Sequence, residues 1–273
     1  MRDADVPGVA TAPPGPALSM QSVSVQFGAV HALDDVNIDV ARGDIHAVIG
    51  PNGAGKSSLF NAVSGLYPIA TGRIEVHGES ISELAPFRVT ECGVGRSFQN
   101  VSLSGDETVE QTLLAGRHHL MRYGTLAALV GLPRARREEK RHRARVEAIA
   151  EFVGVAEHIN RRMRELAYGQ QKLVDLARAI CSEPRVLLLD EPAAGLNSAE
   201  TDAIADVVRR VRDSLDISAV LVEHDMGMVM SLADQVTVLD FGRVIGAGTP
   251  AQVQADDAVR AVYLGVDRGV GSP

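Results

Sequence analysis

The segment Gly50-Pro51-Asn52-Gly53-Ala54-Gly55-Lys56-Ser57 has the spacing GxxxxGK[ST], with an apolar run before it and helix-forming residues after it. Gly53 and Gly55 let the backbone curl until successive N–H groups face inward, and that concavity holds phosphate oxygens. Lys56 adds a full positive charge for the β- and γ-phosphates, Ser57 a hydroxyl for Mg²⁺, and the following helix its N-terminal dipole. Ser58 follows directly and is grouped with these binding residues. The plainer alternative is a glycine-rich turn that carries an exposed lysine.

A second pair of chemical groups closes the run Val186-Leu187-Leu188-Leu189-Asp190-Glu191. Acids at the carboxyl end of a buried strand sit where an open α/β sheet presents its ligand site. Neighbouring strand residues point to opposite sides, so the two carboxylates take separate roles. Asp190 would orient Mg²⁺ and Glu191 would polarise a water attacking the γ-phosphate. The same pair could instead cap the next helix ahead of Pro192.

These groups need a sheet to hold them. Val23, Val25 and Phe27 alternate with polar neighbours, as do Val36, Ile38 and Val40, which predicts two half-buried strands of an antiparallel layer. Residues 45–49 form a nearly continuous apolar run, the mark of a strand covered on both faces, and a helix is expected from Lys56 to about Leu66. Ile74 and Val76 before His77-Gly78 read as a short strand and turn. Between Gln99 and Leu166 the spacing turns helical, with an Arg-, Glu- and Lys-rich run from Arg134 to Arg145, which is either a solvated helix face or a patch facing lipid headgroups. Buried strands return at 186–189, 219–222 and 236–239, alternating with helices, so the central sheet is expected to be mainly parallel.

With 273 residues, 45% of them hydrophobic, the chain can fill one α/β core with a helical insertion. The predicted organisation is a disordered tail over 1–17 and one domain over 18–273, the insertion spanning about 100–180. A formal charge of -8 offers no long-range attraction to nucleic acid. Cys92 and Cys181 stand far apart without ligand spacing, so neither a disulfide framework nor a zinc site is expected. No stretch approaches the roughly 20 apolar residues that cross a bilayer, the best being 126–132, so any membrane role is borrowed from a partner.

Leu166-Ala167-Tyr168-Gly169-Gln170-Gln171, shortly before the acidic strand, completes a set of motifs that resembles the ABC ATPases over almost the whole chain. The resemblance implies an α/β P-loop NTPase of ABC type, with a mainly parallel central sheet, an antiparallel β subdomain and an inserted α-helical subdomain. It implies ATP and Mg²⁺ as ligands, hydrolysis at Glu191, and ATP sandwiched between two chains. The helix starting at Ala167, Tyr168, Gly169 and Gln170 then faces the γ-phosphate held by the opposite subunit. The family usually has serine at the place of Ala167 and glycine at that of Tyr168. A missing serine hydroxyl would remove a hydrogen bond worth about 0.5–1.5 kcal/mol.

Single positions carry over as well. Phe27 matches the aromatic that stacks on adenine, with a core phenylalanine as the alternative. Gln99 matches the glutamine that contacts Mg²⁺ and signals to the membrane partner, and otherwise is a loop residue. His224, after an apolar strand, is similar to the histidine that contacts the γ-phosphate, and otherwise sits in a helix-capping neighbourhood. Ala194-Gly195-Leu196-Asn197 matches the loop crossing the dimer seam, where most of the family has aspartate in place of Asn197.

The signature, Asp190-Glu191-Pro192-Ala193-Ala194-Gly195-Leu196-Asn197 and the ending Tyr263-Leu264-Gly265 resemble the branched-chain amino-acid and related amide importers. That branch implies a second ABC ATPase subunit, two integral membrane permease subunits, an indirectly coupled periplasmic or lipid-anchored substrate-binding protein, and a peripheral place on the cytoplasmic face of the inner membrane. The competing expectations are a urea or amide importer, a lipid or lipopolysaccharide exporter, and a soluble ABC protein of DNA repair or cluster assembly. No heptad run supports the long coiled coil of the repair members.

Overall fold

The computed structural model describes residues 15–97, 105–121 and 133–264. Gln99, the stretch 126–132 and residues 1–14 lie outside the described residues. In chain order the strands are β1 (Leu18–Phe27), β2 (Val30–Val40), β3 (Ile45–Ile49), β4 (Thr71–Val76), β5 (Glu79–Ser80), β6 (Val94–Arg96), β7 (Val186–Asp190), β8 (Ser218–Val222), β9 (Gln235–Asp240) and β10 (Arg243–Gly248). The α-helices are α1 (Lys56–Val63), α2 (Pro86–Glu91), α3 (Val109–Gly116), α4 (Pro133–Val153), α5 (Tyr168–Cys181), α6 (Ser198–Leu215), α7 (Met226–Leu232), α8 (Pro250–Ala255) and α9 (Asp257–Leu264).

Two sheets form. The first, in the order β2-β1-β4-β5, pairs β1 antiparallel to both β2 and β4. The second, in the order β10-β9-β3-β8-β7-β6, is parallel except for the edge strand β10. The central strand β3 lies between β8 and β9, so the phosphate loop leaves the sheet where its order reverses, the usual place for a ligand crevice.

Alternation along β7 explains the layers. Leu187 and Leu189 enter one core with Val109, Leu113, Val146, Ala150 and Val174 from α3, α4 and α5. Val186 and Leu188 turn the other way, joining Val23, Val25, Val36 and Ile38 of the antiparallel sheet and Phe60 of α1. All five residues of β7 are buried, which is why its sequence shows no polar alternation. Truncating Leu187 to alanine would cost about 2–5 kcal/mol.

Several boundaries differ from expectation for identifiable reasons. The helix α1 stops at Val63, not Leu66, because Gly65 adopts a left-handed φ of 69° and Leu66 N–H returns to Asn61 O at 2.8 Å. Residues 15–17, read as the end of a tail, belong to the fold. Ala17 is fully buried, and its N–H donates to Val40 O at 2.7 Å. β6 has only three residues, too few for a period to show, and β10 is interrupted by Gly246. On β3, His46 is buried against Thr237 Oγ1 at 2.8 Å, and burial lowers its pKa to about 4.

Candidate functional site

The turn from β3 into α1 is shaped by contacts that leave no room for side chains. A Cβ on Gly55, at φ 106°, would lie 2.7 Å from Ala32 O, and Gly50 is pressed against the backbone of Leu239. Gly53, by contrast, has nothing within 4 Å of its Cβ direction and a φ of 82°. The glycines that the sequence marked therefore do different jobs: two permit close packing behind the loop, and one frees its mouth. Lys56 is buried and donates to Gly50 O at 2.7 Å and Pro51 O at 2.9 Å. Burial lowers its pKa, with Glu191 and Asp190 opposing the shift. The ammonium is thus held inside the curl of its own loop.

At the end of β7 the two acids separate as expected. Asp190 is buried, and its Oδ2 accepts from Arg96 Nη2 at 2.8 Å. Its Oδ1 is buried and accepts no hydrogen bond among the described residues. Glu191 adopts a left-handed φ of 47°, a conformation that costs a non-glycine residue roughly 1–3 kcal/mol. Its N–H donates to Val222 O at 2.9 Å, its carbonyl accepts from Lys172 Nζ at 3.1 Å, and its Oε1 lies 3.3 Å from His224 Nε2. The Glu191 side chain lines the cleft that the phosphate loop opens into.

Sequence reading missed the group that joins these loops. Glu223 is buried, its Oε1 accepting from Ala193 N–H at 2.8 Å and its Oε2 from His224 N–H at 2.9 Å and Asp225 N–H at 3.3 Å. One carboxylate so ties the segment after Glu191 to the segment bearing His224. Arg96 was missed too: besides Asp190 it donates to Asn61 Oδ1 at 2.8 Å and so bridges β7 to α1. Neither residue belongs to a spacing pattern, so no local signal pointed to them.

Asn52, Gly53, Ala54, Gly55, Lys56, Ser57, Ser58, Glu191 and His224 meet at one cleft of about 490 Å³. Gly50, Pro51 and Asp190 are not among the residues that line it. The outer wall comes from Val30, His31, Ala32 and Phe241, none of which the sequence singled out. Phe27 is 47% exposed, stands edge-on to Tyr67 with ring centroids 4.9 Å apart, and does not line the cleft.

Ala167, Tyr168, Gly169 and Gln170 are not in that cleft either. They open α5, where Ala167 N–H donates to Gln170 Oε1 at 3.1 Å, and alanine has no acceptor to return the bond. Gln170 Nε2 also lies 2.9 Å from His158 Nε2. Gly169 is packed so closely on Glu200 that a Cβ would lie 2.6 Å from its Oε1, while Tyr168 is 46% exposed beside Gly195. Asn197 caps α6, accepting from Glu200 N–H at 3.0 Å.

The donor set fits a magnesium nucleotide. The free Asp190 Oδ1, the exposed Ser57 at the start of α1 and the inward ammonium of Lys56 match the hard cation and the anion respectively. The likeness extends to whole proteins. The ABC transporter family profile matches residues 33–194, and a second, of the branched-chain amino acid ATP-binding cassette transporter, matches residues 243–268. The high-affinity branched-chain amino acid transport ATP-binding protein BraF of Pseudomonas aeruginosa is 37% identical over 92% of this chain and 98% of its own length. LivG of Escherichia coli K12, named for the same transport, is 35% identical over the same shares. A nucleotide-free ATP-binding cassette of an ABC transporter superposes with a TM-score of 0.80 at 29% identity, covering 90% of this chain and 98% of that one. A solved ADP conformation of an ATP-binding cassette of an ABC transporter gives a TM-score of 0.80 at 29% identity, covering 91% of this chain and 98% of that one. Fold, phosphate loop and whole-length likeness agree: the chain belongs to the ABC transporter family and is one of its ATP-hydrolysing transport ATPases.

Proposed function

We propose that this chain energises import of branched-chain amino acids as the ATPase subunit of a membrane complex. The observation that carries the reading is full-length likeness to two ATP-binding proteins named for that transport, joined to a C-terminal segment of the same type. Within the site, Lys56 and the loop amides hold the phosphates. Glu191 orients the attacking water, and His224, 3.3 Å from Glu191, contacts the γ-phosphate. Asp190, Ser57 and Gln99 would hold Mg²⁺, which would supply positive charge against that developing on the phosphates.

One chain is half of the reaction centre. The start of α5 lies away from the phosphate cleft of its own chain, so a second ATPase subunit supplies Ala167, Tyr168, Gly169 and Gln170 or their counterparts. Two permease subunits carry the path through the bilayer, since no helix among the described residues is long and apolar enough to cross it. A periplasmic or lipid-anchored binding protein delivers the cargo.

The test is reconstitution of this chain in proteoliposomes with the membrane subunits that co-purify with it. Labelled leucine should accumulate only with Mg-ATP present. ATP hydrolysis without uptake of leucine, isoleucine or valine would retain the ATPase and remove the cargo assignment.

A further inference from the structure

A lysine in the first turns of α5 reaches the backbone of Glu191. Lys172 follows Tyr168 by four residues, about one helical turn, so the two side chains share a face of α5. That face meets the segment after β7. A Cβ added to Gly195 would come 3.2 Å from Tyr168 Cε1, and Lys172 Nζ lies 5.8 Å from the centroid of the same ring. In this corner Lys172 is buried, and its Nζ donates to Glu191 O at 3.1 Å. Packing alone does not call for an ammonium here, because burying a charge costs free energy that an apolar side chain of similar length would not.

Nor is the lysine needed merely to satisfy the carbonyl. Glu191 O also accepts from Ala194 N–H at 3.2 Å, which closes the turn leaving β7. A carbonyl has two lone pairs, and the ammonium takes up the second. Glu191 N–H donates to Val222 O at 2.9 Å, so the two backbone groups of this residue are tied to β8 and to α5 respectively. Between those ties φ is 47°, a left-handed conformation that persists in a non-glycine residue only when its surroundings over-determine it. The Cα–Cβ direction follows from that backbone, and the carboxylate at its end lies 3.3 Å from His224 Nε2.

We propose that Lys172 is a positioning residue for ATP hydrolysis: by holding the Glu191 carbonyl it fixes the backbone from which the carboxylate reaches the cleft. The inference rests on the reading of Glu191 as the base. Lys172 does not itself line the phosphate-loop cleft, so its loss should slow the chemistry and leave nucleotide binding alone.

The test uses the full chain assembled with the membrane subunits that co-purify with it, as wild type, Lys172→Met, Lys172→Gln, Lys172→Arg, Glu191→Gln and the double variant of Lys172→Met with Glu191→Gln. ATP dissociation constants, kcat and KM for phosphate release from labelled ATP, and melting temperatures would be measured. Lys172→Met should lower kcat about 10–100-fold with ATP affinity and KM within about twofold of wild type, because a displaced base slows reaction without loosening the nucleotide. Lys172→Gln, whose shorter side chain keeps a polar end, should show the same split and stands in if Lys172→Met does not fold. Lys172→Arg retains cationic donors and should recover kcat to within about fivefold of wild type. In the Glu191→Gln background, Lys172→Met should cost less than about twofold more, since the group it positions is gone. Wild-type kcat in Lys172→Met and Lys172→Gln, with Glu191→Gln impaired, would overturn the positioning role and leave the base standing. A full further loss in the double variant, a loss in Lys172→Arg as large as in Lys172→Met, or ATP affinity falling in step with kcat would also overturn it, each marking a structural role only. Wild-type kcat in Glu191→Gln would remove the base and the inference with it.

Discussion

The phosphate loop and the start of α5 stand at opposite poles of preparation. Around Lys56 the groups are held by the chain's own contacts: the ammonium is buried, two glycines are packed against backbone, and Glu191 is held with a left-handed backbone near His224. At α5 the N-cap is an alanine with no acceptor, Tyr168 is half exposed, and the residues lie outside the phosphate-loop cleft. A preorganised electrostatic site gives its full effect because nothing needs to reorganise during reaction. An open helix start gains its effect only when another surface brings charge to its dipole. The contrast is what the proposed reaction between two subunits requires.

Removing the base at the prepared pole gives the largest expected effect. Glu191→Gln keeps the shape and the Val222 hydrogen bond but loses the proton acceptor, so turnover should fall by about 10²–10⁴-fold with ATP affinity kept. Phosphate release and size-exclusion chromatography with Mg-ATP measure this, and a trapped dimer is expected. Turnover equal to wild type would show that the base lies elsewhere and dissolve the asymmetry drawn between the two poles.

Acid should reach the prepared pole through the strand that carries it. His46 on β3 has its pKa lowered to about 4 by burial, while the unfolded chain titrates near 6.5. The unfolded state therefore binds the extra proton first, and stability present above pH 6.5 is lost as pH falls toward 4, by about 3 kcal/mol from this group. His46→Gln should flatten that part of a denaturant-midpoint profile against pH. An unaltered slope would detach the phosphate loop from this buried residue.

The smallest effect belongs to the open pole. Ala167→Ser supplies the missing acceptor for the N–H of Gln170 and completes the cap already half made by Gln170 Oε1, worth about 1 kcal/mol. Thermal melting should rise by about 2–4 °C. If the hydroxyl also meets the γ-phosphate of the opposite subunit, the ATP concentration for half-maximal turnover falls, without change in the binding constant of the single chain. A melting point at or below wild type would mean that the cap is already satisfied in another way.

Most of the fold is legible because its signals are local. Apolar or nearly apolar runs predict β3, β7, β8 and β9, and the spacing at 50–57 places a turn and a helix after the first of them. The misses share a cause. β6 and β10 are edge strands of short or glycine-broken sequence whose pairing depends on neighbours far away in the chain. Glu223 and Arg96 look like ordinary charged residues until the fold buries the first between the loops of Glu191 and His224 and sets the second, partly buried, against Asp190.

By itself the sequence determined the strand–loop–helix that cradles phosphate, the acids at the end of β7 and the family, since each is written in contiguous residues whose spacing has one geometric meaning. Only the tertiary structure decided that Phe241 reaches the cleft while Phe27 stays beside Tyr67, and that Asp190 has one oxygen engaged and one free. It also separated the start of α5 from the nucleotide cleft of its own chain. These outcomes depend on which distant backbones pack together, and the burial that creates such contacts is not a property of any local pattern.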